Sequence, residues 1–181
     1  GIHRLAGLAL WYYMTYYRLF QLIDSELRRG KTLRSCKHLL TNNSSRAKFF
    51  NIPYLNPILK DEKTYTISND YGYKRIPLYK SNIAEMHLIN WGLKSNSPVH
   101  EHPMLGCLMK IISGELHEKQ YHFINKQKTN EPSLIDIKIN ILSEYEPHFI
   151  EGNNVYHKIT NKQVDKETIS LHIYAPPYDR P

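Results

Sequence analysis

From Thr64 onward the chain breaks into short runs rich in Ile, Val, Tyr and Thr, parted by Asn, Gly, Pro and Asp, and this pattern restricts the fold more than any other feature. The runs are TYTIS, YKRIPLYK, AEMHLINWG, PVHEH, GCLMKIIS, ELHEKQYHFI, LIDIKINIL, NVYHKIT and TISLHIYAPP. β-Branched and aromatic residues suit a pleated, half-buried surface, and many short strands at regular spacing build a sandwich or a barrel. Ser113-Gly114 is predicted to form a tight hairpin turn between two of them. The part before reads as helical, with a long segment from His3 to Arg29 stopped by Gly30, then KTLRSCKHLL and SSRAKFF. A length of 181 residues fits one domain with little room for a second. The expectation is a single domain over 1–181, helical over 1–60 and β over 64–181.

A formal charge of +7 raises nucleic acid as a partner, because clustered cations gain from counterion release along a phosphate backbone. Only Arg28, Arg29, Lys31, Arg34 and Lys37 crowd together, at a helix boundary, which reads as a solvated face. No nucleic-acid partner is expected. Cys36 and Cys107 are the only cysteines, too few for a disulfide framework, so a reducing intracellular compartment fits. The most apolar stretch runs from Leu5 to Met14 before Thr15 and Arg18 interrupt it, well short of the ~20 residues of a bilayer crossing. It reads as a buried or interfacial amphipathic helix, with no membrane partner. The chain opens on Gly1, which leaves a targeting segment ahead of it an open question.

Strand side chains alternate faces, so His100 and His102 in PVHEH point the same way. The pair alone is a weak signal among ten histidines and equally describes two surface imidazoles on an edge strand. Ser170, His172 and Tyr174 in SLHIY also share a face, either as the solvent side of a half-buried strand or as a hydrogen-bonded row that orients the tyrosine hydroxyl. His157 in VYHKITN offers a third imidazole, and neutral imidazoles suit iron, zinc, copper or nickel. Of the remaining residues, Cys36 reads as an inert helical thiol, Trp91 as core or, alternatively, a wall of the pocket, and His87, His117, His122 and His148 as strand or loop histidines rather than ligands.

These motifs, taken together, resemble a known family. HEH followed by Cys107 and Gly114, and then His157 with Asn161, are similar to the two short motifs of the cupin barrels, with Cys107 at the usual glutamate position. WGLKSNSPVHEHPMLGCLMKIISGELHE, the upstream YKR, VYHKITN and SLHIYAPPYD resemble the cysteine dioxygenase family over residues 73 to 179. Glu101 stands where the family commonly has aspartate, and the connection from Arg75 to Trp91 is one residue shorter.

The resemblance implies a mainly β, jelly-roll-like cupin barrel with N-terminal helices. It implies one Fe(2+) held by His100, His102 and His157, and a thioether crosslink between Cys107 and Tyr174. Arg75 and Tyr73 would bind the substrate carboxylate, and His172 and Ser170 would steer the Tyr174 hydroxyl. A cis Ala175-Pro176 bond would follow. The implied reaction adds both atoms of O2 to the sulfur of L-cysteine, giving cysteine sulfinate on the route to taurine and sulfate, in a cytoplasmic monomer. The alternatives are dioxygenation of another thiol, such as 3-mercaptopropionate, cysteamine or an N-terminal cysteine, and a cupin that binds metal without turnover.

Overall fold

Strands that carry apolar residues on both faces need cover on both sides, and the chain supplies it with a second sheet on one side and helices on the other. In the computed structural model the described residues are 3–4, 10–41, 66–68, 71–125, 132–144, 146–152 and 155–177. Their elements are β1 (His3–Arg4), α1 (Leu10–Arg28), a 3-10 helix η1 (Arg34–Leu40), β2 (Thr66–Ser68), β3 (Tyr73–Lys80) and β4 (Glu85–Trp91). There follow β5 (His100–Glu101), β6 (Cys107–Ser113), β7 (Leu116–Asn125), β8 (Pro132–Leu142), β9 (His148–Ile150), β10 (Val155–Thr160) and β11 (Thr168–Tyr174). One antiparallel sheet has the order β1-β3-β4-β11-β6-β9, with β2 also paired to β3, and the other has the order β5-β10-β7-β8. The expected mainly β architecture with helices at the N-terminal end is present.

The period of two along the central strands sorts their side chains between two cores. Met86 and Leu88 of β4, Leu108 and Ile112 of β6, and Ile169, Leu171 and Ile173 of β11 join the helices in an outer core. Ile89 and Trp91, Cys107, Met109 and Ile111, and Tyr174 face the other way, into a core shared with Leu116, Leu142 and Ile159 of the second sheet. The polar alternates of β11 therefore lie between the sheets, and all seven residues of that strand are buried. The solvent-face reading of Ser170, His172 and Tyr174 is ruled out by this double cover.

Helix α1 lays Tyr16, Leu19, Phe20 and Ile23 on the outer core at helical spacing, with Arg18 and Gln21 in solvent. The helix is amphipathic from Tyr16 on, the burial of Leu5–Met14 lies outside what is described, and among the described residues no helix is long and apolar enough to cross a membrane. It ends in a Schellman turn: Gly30 takes a φ of +83°, Gly30 N–H donates to Leu27 O at 3.0 Å, and Lys31 N–H donates to Glu26 O at 3.1 Å. Asp24 ties the helix to the β3–β4 turn by accepting from Ser81 Oγ at 2.6 Å and Arg28 Nε at 2.7 Å. Most of the cationic cluster is spent on ion pairs, Arg28 with Asp24, Arg29 and Lys31 with Glu26, and Arg34 with Glu151.

Three expectations differ from the structure. The helix does not begin at His3: His3 and Arg4 pair with Lys80 and Tyr79 at the edge of the larger sheet, where unpaired backbone groups on β3 outweigh helix propensity. Ser113-Gly114 is not a hairpin turn, because β6 and β7 belong to different sheets and the glycine forms the corner between them. Its φ of +94° and the Thr168 side chain against its Cα exclude a side chain. β9 went unforeseen because three residues are too few for a pattern. SSRAKFF lies outside the described residues.

Phe20 is fully buried and stacks on Tyr79 with ring centroids 5.9 Å apart. Phe20→Ala should cost about 3–5 kcal/mol of unfolding free energy, read as a lower denaturant midpoint at constant slope; a loss under ~1 kcal/mol would mean that the helix adds little to the sheet.

Candidate metal centre

β5 is two residues long, yet its pairing fixes the site. It lies antiparallel to β10 with His100 opposite His157, and Glu101 opposite Tyr156. His102 follows just beyond the strand and turns in beside them, with ring centroids 5.1 Å from His100 and 4.2 Å from His157. The ligand atoms of the three rings all lie within 4.8 Å of one another. His102 and His157 are buried and His100 nearly so.

The hydrogen bonds behind two of these rings decide their tautomers. Pro98 O lies 2.8 Å from His100 Nδ1, and Glu118 Oε2 lies 2.9 Å from His157 Nδ1. A carbonyl and a carboxylate only accept, so both Nδ1 atoms carry the hydrogen. Burial, reinforced by neighbouring positive charge, lowers the pKa of all three histidines, His102 and His157 well below the ordinary value, and so favours the neutral rings. His100 Nε2 and His157 Nε2 then face each other at 3.1 Å as two lone pairs with no proton between them. A cation relieves that repulsion, and the His102 ring stands beside both of the others. The donor set therefore fits a divalent transition metal held by three neutral imidazoles.

Arg75 and Tyr174 line the same cavity. Arg75 Nη1 donates to Tyr174 Oη at 3.1 Å. Burial alone would lower the arginine pKa, but it is raised instead by the neighbouring phenols of Tyr174 and Tyr73 and the hydrogen bonds to them, so the guanidinium stays protonated. Tyr73 packs on Trp91 with ring centroids 4.8 Å apart. Cys107 sits directly opposite Tyr174 across β6 and β11, and its Sγ lies 3.9 Å from His172 Nδ1. Burial pushes the Cys107 thiol well up.

A hydrogen-bonded row runs behind the tyrosine. Trp91 Nε1–H donates to Ser170 Oγ at 2.8 Å, Ser170 Oγ lies 2.6 Å from His172 Nε2, and His172 Nδ1 lies 3.2 Å from Tyr174 Oη. The indole donates, and Ser170 Oγ, with two lone pairs and one hydrogen, can either donate to His172 Nε2 or accept from it. Tyr174 Oη accepts from Arg75. Burial first, and then the positive Arg75, keeps His172 neutral by holding its pKa well below the ordinary value.

Of the expected site residues, His100, His102, His157, Arg75, Tyr73, His172 and Tyr174 line this one cavity, while Ser170 lies behind His172 and Cys107 lies opposite Tyr174. The Ala175-Pro176 bond is cis. Cys36 is buried in η1, away from the cavity lining. Trp91 is more than core, since it lines the cavity and starts the polar row. His87 is a strand histidine of β4, as expected, and its ring lies near-perpendicular to that of Tyr174 with centroids 5.6 Å apart. Asn161 has a structural part, its Nδ2 donating to Trp91 O and Gly92 O, each at 3.2 Å. Glu118 was missed, although Leu116, Glu118 and Gln120 share a face by period two, and a Leu116 that belongs in the core carries Glu118 inward with it.

The model of the family described as cysteine dioxygenase type I matches residues 57–181. The cysteine dioxygenase type 1 of Bos taurus is 28% identical over 116 residues, 64% of this chain and 56% of that protein. The Homo sapiens protein of the same name is 27% identical over the same shares, and that of Danio rerio 23% identical over 111 residues, 61% of this chain and 54% of its own. The chain thus spans about half the length of the curated relatives it matches. Solved structures similar to it include an RmlC-like cupin of Shewanella frigidimarina, 16% identical, covering 64% of this chain and 92% of its own with a TM-score of 0.45. A cupin-2 domain protein of Rhodospirillum rubrum is 15% identical, covering 67% of this chain and 68% of its own with a TM-score of 0.46.

Titration of the metal-free chain with Co(II) should reach one equivalent, and His157→Ala should lose that binding; unit stoichiometry in the variant would contradict the three-imidazole centre.

Proposed function

The chain belongs to the cysteine dioxygenase type I family, a branch of the cupins, and on that premise we propose that it is a cytoplasmic, monomeric, iron-dependent dioxygenase of free L-cysteine. The observation that carries this reading is the cluster of three neutral imidazoles with Arg75 and Tyr174 one hydrogen bond apart at its rim. His100, His102 and His157 would hold the ion. When bound, Fe(II) supplies the redox chemistry and, with no anionic protein ligand, acidifies a coordinating thiol.

The protein's own residues account for the rest. The protonated guanidinium of Arg75 grips the substrate carboxylate, with Tyr73 packed beside it, and so selects a thiol that carries an acid group. With the row running from Ser170 through His172 to Tyr174, the phenol oxygen would accept from His172 as it does from Arg75, and its hydroxyl would serve as the donor to the reacting atoms. Both atoms of O2 end on sulfur, the thiol becoming a sulfinic acid; the electrons that dioxygen takes up come from the sulfur, so no external reductant is required.

Cys107 lies opposite Tyr174 across β6 and β11, which supports a thioether between its sulfur and the ring carbon next to the hydroxyl. The thiol and that carbon each lose a hydrogen, and dioxygen accepts the hydrogens and electrons released. Such a bond would lock the phenol against β6.

After anaerobic Fe(II) loading, oxygen uptake should depend on L-cysteine and yield the sulfinate. Arg75→Gln should lower kcat/KM for L-cysteine by about 10–100-fold, the worth of a charge-assisted hydrogen bond of ~1.5–3 kcal/mol, and far less for cysteamine, which has no carboxylate. Equal losses for both thiols would remove carboxylate recognition. The crosslinked wild-type fraction should run slightly ahead on a denaturing gel, and Cys107→Ala should lose that band; a band that survives the substitution contradicts the thioether.

A further inference from the structure

A carboxylate as deep as Glu118, 2% exposed, is costly between packed sheets unless its charge is satisfied. Glu118 Oε2 accepts from His157 Nδ1 at 2.9 Å, while Oε1 accepts from Gln120 Nε2 at 3.0 Å and Asn140 Nδ2 at 2.8 Å. The contact is built into the register: Gln120 lies opposite His157 and Glu118 opposite Ile159, so the carboxylate reaches diagonally from β7 to β10. Asn140, opposite Glu118 on β8, clamps it from the other side.

The other two rings have different backing. His100 Nδ1 meets only the neutral Pro98 carbonyl, and His102 Nδ1 has no hydrogen-bond partner. Among the described residues the centre thus has one anionic support, and it acts through His157. We infer that Glu118 is a positioning residue that lends the three-imidazole set the negative charge it lacks, through His157, and thereby governs both how tightly the centre holds a divalent metal and how readily that metal is oxidised. A carboxylate behind an imidazole fixes its tautomer and raises its basicity, and loss of such a partner typically weakens metal binding about 10–100-fold. The carboxylate that many iron centres bind directly is here moved one ring outward, which keeps a coordination position for the substrate while retaining part of the charge. This inference rests on the metal-centre reading above.

The test uses the full chain, metal-free, titrated with Co(II), and the Fe(II)-loaded chain for potentiometry. Glu118→Gln should weaken Co(II) binding about 10–100-fold and shift the Fe(III)/Fe(II) midpoint potential upward, because removing a nearby anion disfavours the higher charge. Glu118→Asp keeps the charge on a shorter arm; it should hold the potential near the wild-type value while losing part of the affinity. Wild-type affinity and potential in Glu118→Gln would overturn the inference. An affinity loss with no change in potential would overturn it too, by reducing Glu118 to packing. If Glu118→Gln does not fold, Glu118→Ala decides by the same two readouts, and wild-type Co(II) affinity and potential in that variant refute the role. Wild-type chain that binds Co(II) through its histidines yet shows no thiol-dependent oxygen uptake would remove the dioxygenase reading and leave the role of Glu118 standing.

Discussion

Two imidazole lone pairs held face to face set the terms for the rest of this molecule. The Pro98 carbonyl and the Glu118 carboxylate each fix a hydrogen on the far nitrogen of a ring, so His100 and His157 present bare nitrogens to each other at 3.1 Å. Burial prevents protonation from resolving the conflict, because it disfavours the imidazolium. A divalent cation resolves it. Among the described residues no carboxylate joins the three rings at the shared centre, so a metal held there would keep most of its positive charge.

The architecture holds that conflict in place. A sheet covered on one face by α1 and η1 and on the other by the smaller sheet has no solvent side along β11, and its polar alternates have to satisfy one another. Trp91, Ser170, His172 and Tyr174 do so in a single row. The strand that buries the row also sets Tyr174 opposite Cys107, and β3 brings Arg75 to the phenol oxygen. The polar row, the facing of Cys107 and Tyr174 and the hydrogen bond of Arg75 to the phenol are thus consequences of one sheet being covered twice.

Much of this was legible in the chain itself. Period-two spacing placed His100 with His102 and Ser170 with His172 and Tyr174, and the breaks between runs located β3, β4, β6, β7, β8, β10 and β11. Long-range pairings were not legible: nothing local says that His157 lies opposite His100, and the resemblance to a family supplied that step. The corner at Gly114 was misread because a glycine turn looks the same whether the next strand pairs with the last or crosses to another sheet. Trp91 and Glu118 were undervalued because their roles depend on partners far along the chain, Ser170 in one case and His157 with Asn140 in the other.

The central claim, three neutral imidazoles whose missing negative charge is brought by the substrate sulfur, is tested most directly by X-ray absorption at the iron edge, without and then with L-cysteine under anaerobic conditions. The account predicts only nitrogen and oxygen scatterers in the first spectrum and one added sulfur scatterer in the second. An unchanged shell on addition of the thiol, or a protein carboxylate bound to the iron, would contradict it.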